Sequence, residues 1–226
     1  YGHDYVLMKA KTGIDIDTVG LETACVLCRF YSDDDGETWK NEPLTGEKSP
    51  LNKSYAGSTP VCFDAVGQVS IVKEGSHQGR YLIAGSIFVV PKGEALTNNF
   101  RNYANSGSAV IYSDDQGSSW HMDGLIADYM GNEASVASIS KGKEILMVRR
   151  IKPERMLITH PPKSQFRPKF GERIFHKSTD FGRTWSEPFT KEISGVKCHG
   201  TMAKVGRRIY FSIPKGYGPD AEKDWD

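Results

Sequence analysis

Short runs in which apolar and β-branched residues alternate with polar ones recur along the chain. They fall at residues 5–11, 23–31, 61–64, 69–73, 80–90, 108–112, 135–139, 144–150, 173–177, 201–205 and 208–213. Each has strand length, and a period of two predicts a β-strand rather than a helix. Glycines punctuate the connections, as at Gly67, Gly75 and Gly79, in Lys141-Gly142-Lys143 and in Gly206-Arg207. No stretch repeats its apolar positions at the helical period, so the fold class is all-β. Two segments interrupt the alternation. Residues 91–106 are polar and rich in Asn, and residues 152–171 carry Pro153, Pro161, Pro162 and Pro168, which excludes a central strand. Both are expected to be inserted loops. Residues 216–226 show no periodicity.

Between the runs stands a repeated octapeptide. Ser32-Asp33-Asp34-Asp35-Gly36-Glu37-Thr38-Trp39, Ser113-Asp114-Asp115-Gln116-Gly117-Ser118-Ser119-Trp120 and Ser178-Thr179-Asp180-Phe181-Gly182-Arg183-Thr184-Trp185 share one pattern, Ser-x-Asp-x-Gly-x-[Ser/Thr]-Trp. The residue types describe a hairpin turn that stabilises itself. Asp34, Asp115 and Asp180 are expected to accept backbone N–H bonds two residues on, with the Ser or Thr hydroxyl closing the loop. Gly36, Gly117 and Gly182 supply the positive φ. Trp39, Trp120 and Trp185 are expected to lay their rings on the body of the repeat. A calcium loop of the EF-hand kind needs acids at alternate positions, Gly at the sixth and Glu at the twelfth, and none of the copies complies.

The 226 residues suffice for a sizeable core, and the apolar and charged fractions, 38% and 25%, are ordinary for a soluble globular protein. A formal charge of +1 gives no bulk field toward nucleic acid or a membrane surface, so an acidic ligand would have to be held by local arginines. No apolar stretch reaches membrane length, and the opening Tyr1-Gly2-His3-Asp4 has no leader pattern, so the chain is expected to be an internal piece of a longer polypeptide. Cys25 and Cys28 form a CxxC inside an apolar run with no second ligand pair at zinc spacing; with Cys62 and Cys198 they read as buried thiols, and the redox compartment stays open. His160 and His199 lack metal-ligand spacing, and the sequon Asn52-Lys53-Ser54 matters only in a secreted eukaryotic product. The basic loop with Lys152, Arg155, Lys163, Arg167 and Lys169 carries no nucleic-acid motif and reads as a solvated insertion able to line a polyanionic glycan.

The octapeptide is the Asp box, or bacterial neuraminidase repeat, and its copies resemble those of sialidase-type β-propellers. The resemblance implies a six-bladed propeller when complete. Residues 1–226 would then be one partial propeller of about three to four blades. Its remainder is expected from further sequence, a partner chain or self-association. Asp boxes also occur in propellers that only bind, so function has to be argued from a site.

Such a site is indicated after the second box. Asn132-Glu133, a short strand, the turn Gly142, a second apolar strand and Arg149-Arg150 are similar to a sialidase segment whose Glu activates a tyrosine nucleophile. The Arg of that segment grips the substrate carboxylate. Counting from Gly142 puts this arginine at Arg149, or at Arg150 if the register slips by one and turns the side chain to the other face. Gly67-Gln68, then Gly79-Arg80-Tyr81-Leu82-Ile83, then Cys198-His199-Gly200-Thr201 and Arg208-Ile209-Tyr210-Phe211-Ser212-Ile213-Pro214 follow the family order, with His199 where Gln is usual. Gln68 and His199 are therefore candidate substrate contacts. The Arg-Ile-Pro motif of the first family arginine is absent, and the third arginine and the tyrosine are expected beyond Asp226.

The resemblance implies a glycoside hydrolase that releases α-linked sialic acid without cofactor or metal, secreted or at a cell surface. A planar guanidinium can bind the sialate carboxylate bidentately, whereas a carboxylate nucleophile would be repelled by it; a tyrosine paired with Glu133 avoids that repulsion. An endo-acting polysialic-acid hydrolase and a non-catalytic propeller binding glycan or protein are the alternatives.

Overall fold

The two-residue alternation becomes strands, of which the inner ones of the larger sheets are buried on both faces. A computed structural model describes residues 27–55, 58–65, 68–91, 106–126, 133–150, 172–195 and 198–214. Among these, β1 (Leu27–Tyr31) pairs with β2 (Lys40–Leu44). β3 (Ser58–Asp64) and β4 (Ser70–Ile71) follow one another along one edge of β5 (Tyr81–Pro91), whose other edge holds β6 (Ser106–Ser113), and β6 holds β7 (Leu125–Ile126). β8 (Ala134–Ile139), β9 (Glu144–Arg149), β10 (Glu172–Ser178) and β11 (Phe189–Ser194) form an antiparallel sheet in chain order, and β12 (Thr201–Val205) pairs with β13 (Arg208–Ser212). The all-β reading holds, and these open sheets fit part of a propeller.

The Asp boxes give each strand its place in a blade. In both larger sheets the box joins the third strand to the fourth, β6 to β7 and β10 to β11. By the same rule β1 and β2 are the third and fourth strands of an earlier blade, and β12 and β13 the first two of a later one. The described residues thus comprise two complete blades flanked by two half-blades.

Alternation along the strands sends side chains into the gaps on either side of a blade. Ile87 and Val89 of β5, with Ala109 and Ile111 of β6, join Leu44, Phe63, Trp120 and Met122 in the first gap. Leu82, Ala84 and Val110 from the other face of that blade meet Ala134, Val136, Ile145, Met147 and Phe181 in the second. Ala137, Val148, Phe175 and Met202 fill the third. The innermost strand β8 is buried from Ala134 to Ser138 and packs between β4 and β5 on one side and β12 on the other.

The pattern missed β2, β7 and β11, all fourth strands. An outermost strand has an edge and much of its surface in water, so it carries little alternation; β2 even accommodates Pro43 opposite Cys28. β3 begins at Ser58 rather than at residue 61, and β4 shrinks to two residues. Pro91 and Ser106, the bounds of the loop expected over 91–106, end β5 and begin β6. Residues 5–11, 92–105 and 151–171, with Cys25, Asn132 and His160, lie outside the described residues. Cys28 is exposed on β1, and Cys62 and Cys198 are half-buried, so the buried-thiol reading is corrected: none of the three sits on a fully enclosed face.

Each box is one hydrogen-bonded unit. The Ser hydroxyl accepts the Gly N–H, at 2.8, 2.7 and 2.8 Å in chain order, and donates to the Asp carboxylate. That carboxylate accepts the backbone N–H and the hydroxyl of Thr38, Ser119 or Thr184. The acceptance is from four residues on, not two, because the turn contains two consecutive left-handed residues. Asp35, Gln116 and Phe181 have φ of 56°, 58° and 57°, and Gly36, Gly117 and Gly182 follow at 94°, 85° and 99°. Trp120 and Trp185 lie over their box glycines and into the body, but Trp39 is 64% exposed, since nothing among the described residues covers the outer side of the first half-blade.

Hydrogen bonds from Ser32 and Thr38 lower the Asp34 carboxyl to about 2. In Asp115 burial pushes upward, yet bonds from Ser119 and Ser113 outweigh it and hold the group at about 2. A depressed folded-state value means that the stabilisation is present above the ordinary carboxylate range and is lost as pH falls through about 2.

Candidate functional site

Chain direction puts the boxes and the Lys141–Lys143 turn at one end of the blades and the residues singled out after the second box at the other. Glu133 stands immediately before β8, Arg149 closes β9, Arg150 follows it, Arg173 lies near the start of β10, and Cys198 and His199 precede β12. Inner strands of two neighbouring blades therefore bring these residues together from distant parts of the sequence.

Glu133 and Arg150 are joined twice. The Arg150 guanidinium meets the Glu133 carboxylate, Nη1 to Oε2, at 2.9 Å, and the Arg150 N–H donates to the Glu133 carbonyl at 2.9 Å. The main-chain bond extends the β8–β9 ladder by one step beyond the Ala134–Arg149 pair, so the side-chain pair is held by the sheet itself. The ion pair is partly buried, with side-chain exposures of 25% and 14%.

Arg149 lies in the ladder, opposite Ala134 on one side and Ile174 on the other, and is 1% exposed. Continuing the alternation of Ile145 and Met147 directs Arg149 toward the second gap, while Arg150 follows Leu146 and Val148 toward the third. The two arginines thus serve opposite faces of one blade.

On the third-gap side stand Arg173 and His199, which sequence reasoning respectively missed and left as a candidate. Arg173 is 2% exposed and donates Nη2–H to the Cys198 carbonyl at 2.7 Å, fastening the approach to β12 onto β10. Burial, with the neighbouring Arg150 charge, pushes its guanidinium down to about 10 against the opposing pull of Glu133. The signal available in the sequence was an arginine directly before the apolar pair Ile174-Phe175 at the start of β10. Burial pushes the His199 imidazole down as well; Glu133 opposes this, and Arg173 and Arg150 add to it.

Gln68 behaves differently from its neighbours in the expected set. Its carboxamide Nε2 donates to the Met202 carbonyl at 3.2 Å, and the Met202 N–H donates to Ser135 Oγ at 2.9 Å. Gln68 therefore ties the first strand of one complete blade to β12, with Ser135 of β8 between them.

At the box end a cleft of about 510 Å³ is lined by residues that include His77, Arg80, Tyr112, Lys143, Phe181 and Arg183. Its buried cation is already neutralised, because Arg80 makes two bonds to Asp114 at 2.8 and 2.7 Å while stacked on Tyr112. Among the described residues no group of three or more His, Cys, Asp or Glu is placed to hold a metal, and no helix is long and apolar enough to cross a membrane. The chemistry on offer at the Glu133 end is a fixed carboxylate with guanidinium groups on both faces of the same blade, suited to an acidic, hydroxyl-bearing ligand.

Comparison with known proteins points the same way. Residues 30–41 and 111–122 match the BNR/Asp-box repeat family. The chain is 29% identical over 209 residues to a sialidase of Paraclostridium sordellii, covering 88% of this chain and 44% of that protein. It is 29% identical over 197 residues to a sialidase of Clostridium perfringens, covering 82% and 43%. The chain thus spans less than half the length of these curated relatives. Among solved structures, Hadza microbial sialidase Hz136 aligns with a TM-score of 0.55 at 19% identity, covering 87% of this chain and 34% of that one. The intramolecular trans-sialidase of Ruminococcus gnavus aligns at 0.50 and 21%, covering 78% and 30%. At those identities the structural likeness speaks to fold.

Proposed function

We propose that this chain, which its Asp-box repeats, sialidase relatives and propeller-type sheets assign to the sialidase superfamily, forms part of a sialidase-type glycoside hydrolase that releases α-linked sialic acid from glycans. The observation that carries the reading is the position of Glu133. It stands at the head of an innermost strand, locked to Arg150 through side chain and main chain, where a family glutamate would face the ligand.

In this reading Glu133 is the base that takes the proton of a tyrosine nucleophile. Arg149 grips the sialate carboxylate from the ladder, and Arg150 positions Glu133. The reading is made for the whole protein, because the chain spans less than half the length of its curated relatives. A sialylated glycan is the proposed substrate.

The test is hydrolysis of a fluorogenic sialoside by the full-length protein carrying Arg149→Ala or Arg150→Ala. Loss of a charged hydrogen-bond partner costs roughly 1.5–3 kcal/mol, or about ten- to a hundredfold. Arg149→Ala is expected to show that loss mainly as a raised KM, and Arg150→Ala mainly as a lowered kcat. Turnover unchanged in Arg149→Ala would remove that residue from the site.

A further inference from the structure

Strained backbone gathers at the box end of the second gap. Among the described residues five non-glycine residues have positive φ, and three of them surround the cleft found there. Ser140 at 51° and Lys141 at 56° lead into Gly142 at 75° in the turn between β8 and β9, and Phe181 at 57° stands in the third box. Left-handed backbone is unfavourable for residues with a Cβ, and such residues cluster where a ligand is held. The other two boxes put Asp35 and Gln116 at the place of Phe181. Here a bulky ring instead supports the His77 ring at 4.3 Å and the Arg80 guanidinium, which also lies over Tyr112.

The cleft so walled holds about 510 Å³, within the range of small-molecule sites. Its base is fixed, because Gly75 and Gly142 bring the two complete blades together backbone to backbone. Its inner charge is spent, since Asp114 binds Arg80 twice. The charges at its mouth are not. Lys143 is exposed and makes no ion pair among the described residues, and Arg183, 69% exposed, approaches the Asp123 carboxylate only at 3.8 Å. Asp123 Oδ1 accepts the Tyr112 hydroxyl at 3.2 Å, and a carboxylate has lone pairs for further donors. Burial, with the Arg80 charge, pushes the His77 imidazole down against the pull of Asp114, so it is neutral at neutral pH and the unspent positive charge is that of Lys143 and Arg183.

These groups narrow what the cleft takes. An apolar molecule finds no bare ring, because Phe181 is 5% exposed and already covered by His77 and Arg80. A small inorganic anion would suit Lys143 and Arg183 but would be repelled by Asp123 and Asp180, which line the same cleft. A sugar bearing an acidic group satisfies both sets: its carboxylate or sulfate accepts from the ammonium and the guanidinium, and its hydroxyls donate to a carboxylate. We propose that the box-end cleft is a glycan-binding site in its own right, in which Lys143 and Arg183 hold the acidic group of a sugar and Asp123 accepts a ring hydroxyl. It lies at the opposite end of the blades from Glu133, so it serves to hold a glycan rather than to cleave it.

The experiment uses the full-length protein. Glucuronic acid, galactose 6-sulfate, galactose and inorganic sulfate are each titrated calorimetrically into wild type, Lys143→Gln, Arg183→Gln and Glu133→Gln, with circular dichroism to check that the variants are folded. At least one acidic sugar is expected to bind wild type with a Kd on the order of 1 mM, and galactose and inorganic sulfate about tenfold more weakly or not at all. Lys143→Gln and Arg183→Gln should each weaken the acidic sugar about tenfold, and Glu133→Gln should leave its binding unchanged. The sugar that binds identifies the acid as carboxylate or sulfate. Acidic sugars that do not bind wild type, or that bind equally well to folded Lys143→Gln and Arg183→Gln, would overturn the inference. Galactose or inorganic sulfate binding as tightly as the acidic sugars would overturn it too, since the cleft would then read only hydroxyls or only charge. The hydrolase reading depends on sialoside turnover and is untouched by either result.

Discussion

Glu133→Gln in the full-length protein is expected to lower kcat on a sialoside by about 10²–10⁴-fold, the usual contribution of a positioned general base. KM should change little. Glutamine keeps the size of the side chain and retains an oxygen that can accept the 2.9 Å bond from Arg150, and the main-chain bond between the same residues is untouched. The substitution therefore removes basicity while leaving the geometry, and circular dichroism and thermal unfolding should match wild type. Glu133→Ala is a poorer test, because it strands Arg150 in a partly buried position. Near-normal kcat in a folded Glu133→Gln protein would show that the carboxylate is not the base.

The largest expected effect on stability is at Gly142, in the turn between β8 and β9. Its φ is +75°, and a Cβ built there would lie 1.7 Å from the Glu74 carbonyl oxygen, with backbone rather than a flexible side chain in the way. Gly75 meets the same turn from the other side, where its own Cβ would be 3.0 Å from the Gly142 carbonyl. The two complete blades thus touch backbone to backbone at the box end. Gly142→Ala would have to separate them or abandon the turn, and the cost is expected to exceed about 4 kcal/mol, the range reserved for strain and core disruption. Urea denaturation measures it. Gly206→Ala is the matched control: Gly206 has φ +58° and open space around its Cβ, so it should carry the conformational penalty alone, roughly 1–2 kcal/mol.

Much of this architecture could be read from residue patterns because propeller strands are buried on both faces. Runs such as Tyr81-Leu82-Ile83-Ala84 supply side chains to two different cores, and each box writes a turn in side chains that bond to one another locally. The third box shows how far local chemistry goes: Ser178, Asp180, Gly182 and Thr184 make the same bonds as the other two, although the family match covers only the first and second. The fourth strands were hidden for the converse reason. Their stabilisation comes from one neighbour and water, which selects no pattern, and β11 even shifts register against β10.

The site was partly legible. Glu133 and Arg149 were expected from a resemblance to a family segment, with Arg149 counted from Gly142, and strand pairing puts both at one end of the β8–β9 ladder. That Glu133 pairs with Arg150, that Arg149 is enclosed in the ladder, and that Arg173 and His199 converge on the same carboxylate are consequences of packing between blades. Such relations join residues up to 66 positions apart, as where the Glu133 charge acts on His199, and leave no trace in spacing. Gln68 carries a tie that its place in the family order did not reveal, since its amide donates to the Met202 carbonyl.

The most direct test of where this protein acts is a crystal structure of the full-length protein with N-acetylneuraminic acid bound. The account predicts the sugar at the Glu133 end of β8, with its carboxylate on the Arg149 guanidinium and Glu133 beside the ring. Sugar seated in the box-end cleft around Arg80 and Lys143, with the Glu133 cluster untouched, would contradict it.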